Sequence, residues 1–209
     1  MHTLTVPAYA LQAALTHTAR KDIRTYLCGV RLEPSAGKII ATDGHRMFIG
    51  AIDTADAPAV TIPAELLASA LKAVKVKKGT ITLVTVNYSA GTVELAFPNG
   101  ARFAGAELEG NYPEWRRVLP QTVSGESAQF NPQYLADAET ALKIYYDGGN
   151  AFCTTLAPNG TAGGLVFNGG YDPKAVVIVM PRRVVNSTSA PDVLLWLHGS
   201  QTNSESVAA

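Results

Sequence analysis

The sequence predicts an α+β fold built from antiparallel sheets, and three observations carry that prediction. A β-α-β-β-β pattern recurs three times along the 209 residues. Each recurrence sets a proline at the first helical position, where its missing N–H is no loss. Short glycine-containing turns then separate strand-length apolar stretches. Strands joined by such short turns pair antiparallel, because a parallel pair needs a long crossover between its members.

The first unit opens with a strand over residues 3–6 and a helix at Val6-Pro7, whose apolar face is Leu11, Ala14 and Leu15. Strands are expected at 26–32, 38–42 and 47–52, with Ser35-Ala36-Gly37 as a turn. The second unit repeats this. A strand at 60–62 leads into Ile62-Pro63, and Leu67, Ala70 and Leu71 fall at the same offsets from proline as in the first helix. Strands follow at 80–86, 92–97 and 101–108, and Pro98-Asn99-Gly100 is a strong hairpin signal. The third unit is looser. It has a strand at 128–130, a helix at Asn131-Pro132 with Leu135, Ala138 and Leu142, and strands at 151–156, 162–167 and 175–180 around Pro158-Asn159-Gly160. It ends near Val185. Residues 186–209 form a tail with small polar ends and one apolar island, Val193, Leu194, Leu195, Trp196 and Leu197.

Composition narrows the function classes. Hydrophobic residues make up 47% and charged residues 16%, too apolar and too sparsely charged for a disordered chain. Seventeen basic residues balance seventeen acidic ones, which excludes a strongly basic nucleic-acid binder but not a local basic face. Cys28 and Cys153 are too few for a disulfide framework or a zinc cluster, and they read as core thiols. No apolar run approaches the roughly 18 residues of a membrane span, and the N-terminus has no signal-peptide pattern, so a cytoplasmic protein is expected.

Enzyme readings find little support. Leu197-His198-Gly199 mimics an oxyanion-loop fragment, but such a fragment should precede the nucleophile, and only ten residues follow Gly199. Gly125-Glu126-Ser127-Ala128-Gln129 lacks the second glycine of a nucleophile elbow. His2, His17, His45 and His198 show no metal spacing, and no Gly-Lys phosphate loop is present. Asp43 beside His45 reads as a turn rather than as acid–base chemistry. No catalytic residue, metal site or cofactor is expected.

Two stretches are specific. One is Asp22-Ile23-Arg24-Thr25-Tyr26-Leu27-Cys28-Gly29-Val30 with Ala41-Thr42-Asp43-Gly44-His45-Arg46-Met47. The other is Glu109-Gly110-Asn111-Tyr112-Pro113-Glu114-Trp115-Arg116-Arg117-Val118-Leu119-Pro120. Together they resemble the middle domain of the bacterial sliding clamp, the beta subunit of the replicative DNA polymerase. The third unit resembles the last half of the clamp's final domain. It opens with Phe130-Asn131-Pro132-Gln133-Tyr134-Leu135 and closes with Val177-Ile178-Val179-Met180-Pro181-Arg182-Arg183-Val184. The resemblance implies a DNA-clamp fold of three half-domains: residues 1–120 like the middle domain, 121–185 like the end of the last, and 186–209 an extra tail.

The resemblance also implies a hydrophobic slot that receives short peptides from polymerases and other DNA-handling proteins. Leu27, Thr42, Gly44, His45, Arg46 and Met47 match its first wall. Pro113, Arg117 and Val118 match the second, and Ile178, Met180, Pro181, Arg182 and Arg183 the third. Such residues suit peptide capture, because methionine adapts to different anchors and arginines hold polar groups. The plain alternative is ordinary turn and core residues.

By the same resemblance the helices face double-stranded DNA without reading its sequence. Arg20 and Lys21 follow the first helix, and Lys72, Lys75, Lys77 and Lys78 run off the second. A solubilising rim is the alternative, and Asp137 and Glu139 weaken the case at the third helix. A clamp ring holds twelve half-domains, so three per chain imply a homo-oligomer, in its sharpest form a tetramer. The expected function is a processivity factor that surrounds duplex DNA and tethers a polymerase. The alternative is a non-encircling module that captures clamp-binding peptides as competitor or adaptor. A small clamp of this kind suits a phage, prophage or plasmid. The tail island vaguely resembles the peptides that clamps bind, or else forms an added edge strand.

Overall fold

The fold follows from how two units trade strands and a third joins edge to edge. In the computed structural model, residues 1–76, 81–146, 153–167 and 174–182 are described. The first unit is β1 (His2–Pro7), α1 (Ala8–Leu15), β2 (Gly29–Glu33), β3 (Lys38–Thr42) and β4 (Arg46–Ala51). The second is β5 (Val60–Pro63), α2 (Ala64–Val74), β6 (Leu83–Ser89), β7 (Thr92–Ala96) and β8 (Arg102–Ala106). The third is α3 (Pro132–Tyr145), β9 (Thr155–Pro158), β10 (Gly164–Phe167) and β11 (Ala175–Val179).

Each leading strand leaves its own unit. β1 pairs with β6, giving a four-stranded sheet β1-β6-β7-β8, while β5 pairs with β2. The second sheet has seven strands in the order β5-β2-β3-β4-β11-β10-β9, so the third unit extends the first through β4 and β11. Every pairing is antiparallel.

All but one of the expected helices and strands are present, with shifted ends. The strand expected from residue 26 begins at Gly29, because Thr25–Cys28 forms a 3-10 turn. Pro7 and Pro63 stand one residue before their helices rather than at the first helical position. They are still paired in their strands, opposite Leu83 and Gly29, and the helix starts only after that pairing ends. Pro132 does occupy the first turn, with the Asn131 side chain accepting from Gln133 N. Residues 128–130 are not a strand. A leading strand needs another unit's sheet to join, and among the described residues no such sheet stands beside this segment. The expected strand at 151–156 appears instead as β9 at Thr155–Pro158, with 151–152 outside the described residues. The tail from 186 onward is outside them too. Neither cysteine is a core thiol: Cys28 is half-buried in the 3-10 turn, and Cys153 is exposed two residues before β9.

The large sheet buries both faces at its centre. Ile39, Ala41, Phe48, Val177 and Val179 point into the main core, together with α1, α2, α3 and the inner face of the small sheet. The alternate residues Ile40, Met47, Ile49 and Ile178 point the other way and form a second cluster with Trp115. Alanines on α1 (Ala8, Ala10, Ala13, Ala14) are all buried, so the helix lies close to its neighbours. The second cluster positions the candidate site.

Candidate functional site

The first wall is built by a tight turn between β3 and β4. The Asp43 carboxylate accepts from the backbone N–H of His45 at 2.9 Å and of Arg46 at 3.0 Å. Thr42 Oγ1 donates to the Arg46 carbonyl at 2.8 Å and accepts from Gly44 N at 3.1 Å. Gly44 has φ +89°, and a side chain there would press on the Arg24 guanidinium. Arg24 is itself held by Asp22 at 2.8 Å, and those hydrogen bonds hold the Asp22 carboxyl down at about 2. His45 is exposed and stacks on Tyr134 of α3, with ring centroids 6.0 Å apart. Leu27 and Thr42 are buried and offer little surface.

Arg46 is spoken for. Its Nε meets Asp43 at 3.1 Å, its Nη1 pairs with Asp137 of α3, and its guanidinium lies 4.9 Å from the Tyr134 ring centroid. Burial works to raise the Asp137 carboxyl, and hydrogen bonds from Arg46 and Gln133 outweigh it, leaving the group below the usual carboxylate range. Behind this pair lies His17, fully buried at the end of α1. The Thr16 hydroxyl donates to Ala13 O, so His17 Nδ1 is the donor in its 2.7 Å bond to Thr16 Oγ1. Nε2 is left without a partner. Burial and the nearby Arg46 charge push the imidazole down to about 3, so it is neutral at physiological pH.

The second wall is the segment after β8. Trp115–Val118 forms a 3-10 turn, opened by the Glu114 side chain accepting from Arg116 N. Trp115 lies over Met47, Ile49 and Ile178, donates its indole N–H to Glu33 at 3.1 Å and carries Arg116 on its face at 4.3 Å. Pro113 is half-buried, Arg117 is exposed and Val118 is 41% exposed.

The third wall is joined to the first by the sheet. Ile178 lies opposite Met47 in the register of β11 on β4, and Met180 N donates to the His45 carbonyl at 2.9 Å. Ile178 is buried, Met180 is 38% exposed, Pro181 is half-buried and Arg182 is exposed. Arg183 lies outside the described residues. Met47, Ile178 and Trp115 thus pack into one nearly buried cluster, and the exposed candidate side chains are Met180, His45, Val118, Arg117 and Arg182.

Sequence reasoning missed Trp115, Tyr134 and Asp137 as parts of this region. Trp115 had a signal, since it stands inside the Tyr-Pro-x-Trp-Arg-Arg run. Tyr134 and Asp137 had none, because only the fold sets α3 beside the turn. Of the basic residues, Arg20, Lys21, Lys72 and Lys75 are exposed, with Lys75 capping α2 at φ +52°, and Lys77 and Lys78 fall outside the described residues.

Two exchanging β-α-β-β-β units with a third added edge to edge define a DNA-clamp architecture. More particularly, solved structures of bacterial DNA polymerase III beta chains superpose on it. That of Streptococcus pneumoniae matches with a TM-score of 0.67 at 17% identity, over 88% of this chain and 65% of its own. A putative beta subunit of Eubacterium rectale gives 0.66 at 14% identity, over 88% and 66%. The Bacillus subtilis sliding clamp gives 0.64 at 18% identity, over 88% and 64%. This chain therefore has the sliding-clamp fold and spans about 65% of those proteins' length. No family model matches the sequence, and no curated protein does. Among the described residues no helix is long and apolar enough to cross a membrane.

Proposed function

We propose that the protein is a clamp-like processivity factor that surrounds duplex DNA and tethers a polymerase through the surface at the β4–β11 junction. The observation that carries this reading is the joining of Met180 to His45, which brings two stretches far apart in sequence together at the end of the β4–β11 ladder. The mechanism makes and breaks no bond. Apolar anchors of a partner peptide rest against Met180, Val118 and the Trp115 cluster, and His45, Arg117 and Arg182 hold its polar groups. Arg20, Lys21, Lys72 and Lys75 attract phosphates without reading bases.

One chain does not close a ring by itself, because β8 and β9 are terminal strands in their sheets among the described residues. Four chains supply the twelve half-domains of a clamp ring. The same open ends favour a second reading, a module that captures clamp-binding peptides without enclosing DNA. Retention on circular duplex DNA separates the two. A ring stays on a closed circle through a salt wash and leaves when the circle is cut. A peptide-capturing module is washed off both.

A further inference from the structure

The exchange of leading strands exposes an unmet pairing in the third unit. In the first two units the exchange is reciprocal: β1 joins β6 and β5 joins β2, each at the outer side of the other unit's first long strand. While doing so, β5 stays tied to its own unit, with Leu108 N donating to the Thr61 carbonyl at 3.1 Å. The third unit makes the matching tie. Arg182 N, just past β11, donates to the Gln129 carbonyl at 2.7 Å. Residues 128–130 are therefore held to their own unit much as β5 is, with no sheet on their far side among the described residues. The first strand of that unit, β9, is correspondingly terminal in its sheet among the described residues, with only its last carbonyl, Pro158, taken by Gly125 N at 3.1 Å. Beside that edge Leu156 is 39% exposed, and Leu156 and Phe130 both reach Gly164, where an added Cβ would meet them at 3.0 and 2.8 Å.

One donor segment and one acceptor edge on the same unit are what a two-fold axis satisfies. We infer that the third unit pairs with the third unit of a second copy, each giving residues 128–130 to the other's β9 and so completing one clamp domain from two chains. Such an edge needs cover, because a terminal strand presents unpaired N–H and C=O groups. Two chains joined this way leave the two β8 edges outward. Two such pairs meeting at β8 make the tetramer. That larger ring rests on the proposed clamp role, whereas the pair does not.

The test is the mass of the full chain in solution by light scattering at micromolar concentration. The expected value is two chains, about 44 kDa from 22.0 kDa each, or about 88 kDa for four. Thr155→Lys with Leu156→Lys puts charge on the β9 edge and should halve the wild-type mass, from about 44 to 22 kDa or from about 88 to 44 kDa. An unchanged melting profile and unchanged peptide binding at the β4–β11 junction establish that this variant is folded. A wild-type mass of one chain overturns the inference. So does a wild-type mass that the lysine variant leaves unchanged, since that assembly forms elsewhere. A chain that is single as wild type and pairs once residues 183–209 are removed also overturns it, by making the tail the occupant of the edge. A single chain that still binds a clamp-motif peptide leaves the proposed function standing and rejects only this interface.

Discussion

The amide of Met180 donates to the carbonyl of His45 at 2.9 Å, one residue beyond the last paired strand positions, Val179 opposite Arg46. The bond continues the β4–β11 ladder into the turn and fixes an exposed thioether beside an exposed imidazole. Both side chains sit on structure held by main-chain bonds, so replacing them removes surface without removing support. Met180→Ala with His45→Ala is expected to lower affinity for a clamp-motif peptide at least tenfold, a loss of about 1.4 kcal/mol. The melting temperature should stay within a few degrees of wild type, as is usual for exposed positions. Fluorescence anisotropy of a labelled peptide reads the affinity, and unchanged binding rejects the site.

Arg46 and Asp137 tie α3 to the β3–β4 turn, both only partly exposed. A hydrogen bond to a charged group contributes roughly 1.5–3 kcal/mol, and the partner left behind keeps its desolvation cost. Asp137→Ala should therefore destabilise the chain by about 1–3 kcal/mol in urea unfolding. Glu139→Ala, at an exposed site two residues on, should change it by less than about 0.5 kcal/mol. Equal effects of the two would show that the bridge contributes nothing.

His17 makes stability depend on pH in a definite direction. Its folded value is depressed to about 3 from 6.5, so between those values the unfolded chain binds the extra proton. Stability is full above pH 6.5 and falls as pH drops toward 3, with a slope of up to about 1.4 kcal/mol per pH unit from this group. Asp137, also depressed, adds loss only at the acid end, as pH falls through its folded value. Chemical denaturation at pH 7, 6 and 5 should show this fall. His17→Leu should flatten it between pH 7 and 5, because the buried imidazole that takes up a proton on unfolding is gone. A variant with the wild-type slope would place the effect elsewhere.

The repeat was legible because it rests on local chemistry. Leu67, Ala70 and Leu71 are all buried as their helical spacing requires, and Asn99-Gly100 turns β7 into β8 with Gly100 at φ +85°. The exchange of β1 and β5 between units was not legible. A strand's own pattern records that one face is buried, not which sheet it joins. The failed strand at 128–130 has the same cause, since its residues suit a strand that finds no partner sheet among the described residues. At the site, the Asp43 turn was readable from its motif, whereas Asp137 read as a charge disfavouring DNA. Its neutralisation by Arg46 comes from a contact between residues 91 apart in sequence.

The β6–β7 hairpin carries no strong turn signal in the sequence, and its geometry supplies the last prediction. Ser89 pairs with Thr92, so only Ala90 and Gly91 form the loop, at φ +48° and +79°. Two central residues with positive φ are the arrangement that matches the twist of paired strands, and it favours Asn-Gly or Gly-Gly. Glycine at position 91 meets the demand freely. Alanine at position 90 does not, because its Cβ crowds the backbone in the left-handed region at a cost of about 1 kcal/mol. Ala90→Asn keeps most of the unfolded chain's restriction and tolerates that region better, so it should stabilise the protein by about 0.5–1 kcal/mol. Ala90→Gly should gain less, since glycine's added freedom in the unfolded chain offsets part of the relief. Ala90→Val should lose more than about 1 kcal/mol, its branched Cβ fitting that region worst of the three. The ranking Asn, Gly, wild type, Val in urea midpoints checks the turn, and a most stable valine variant would contradict it.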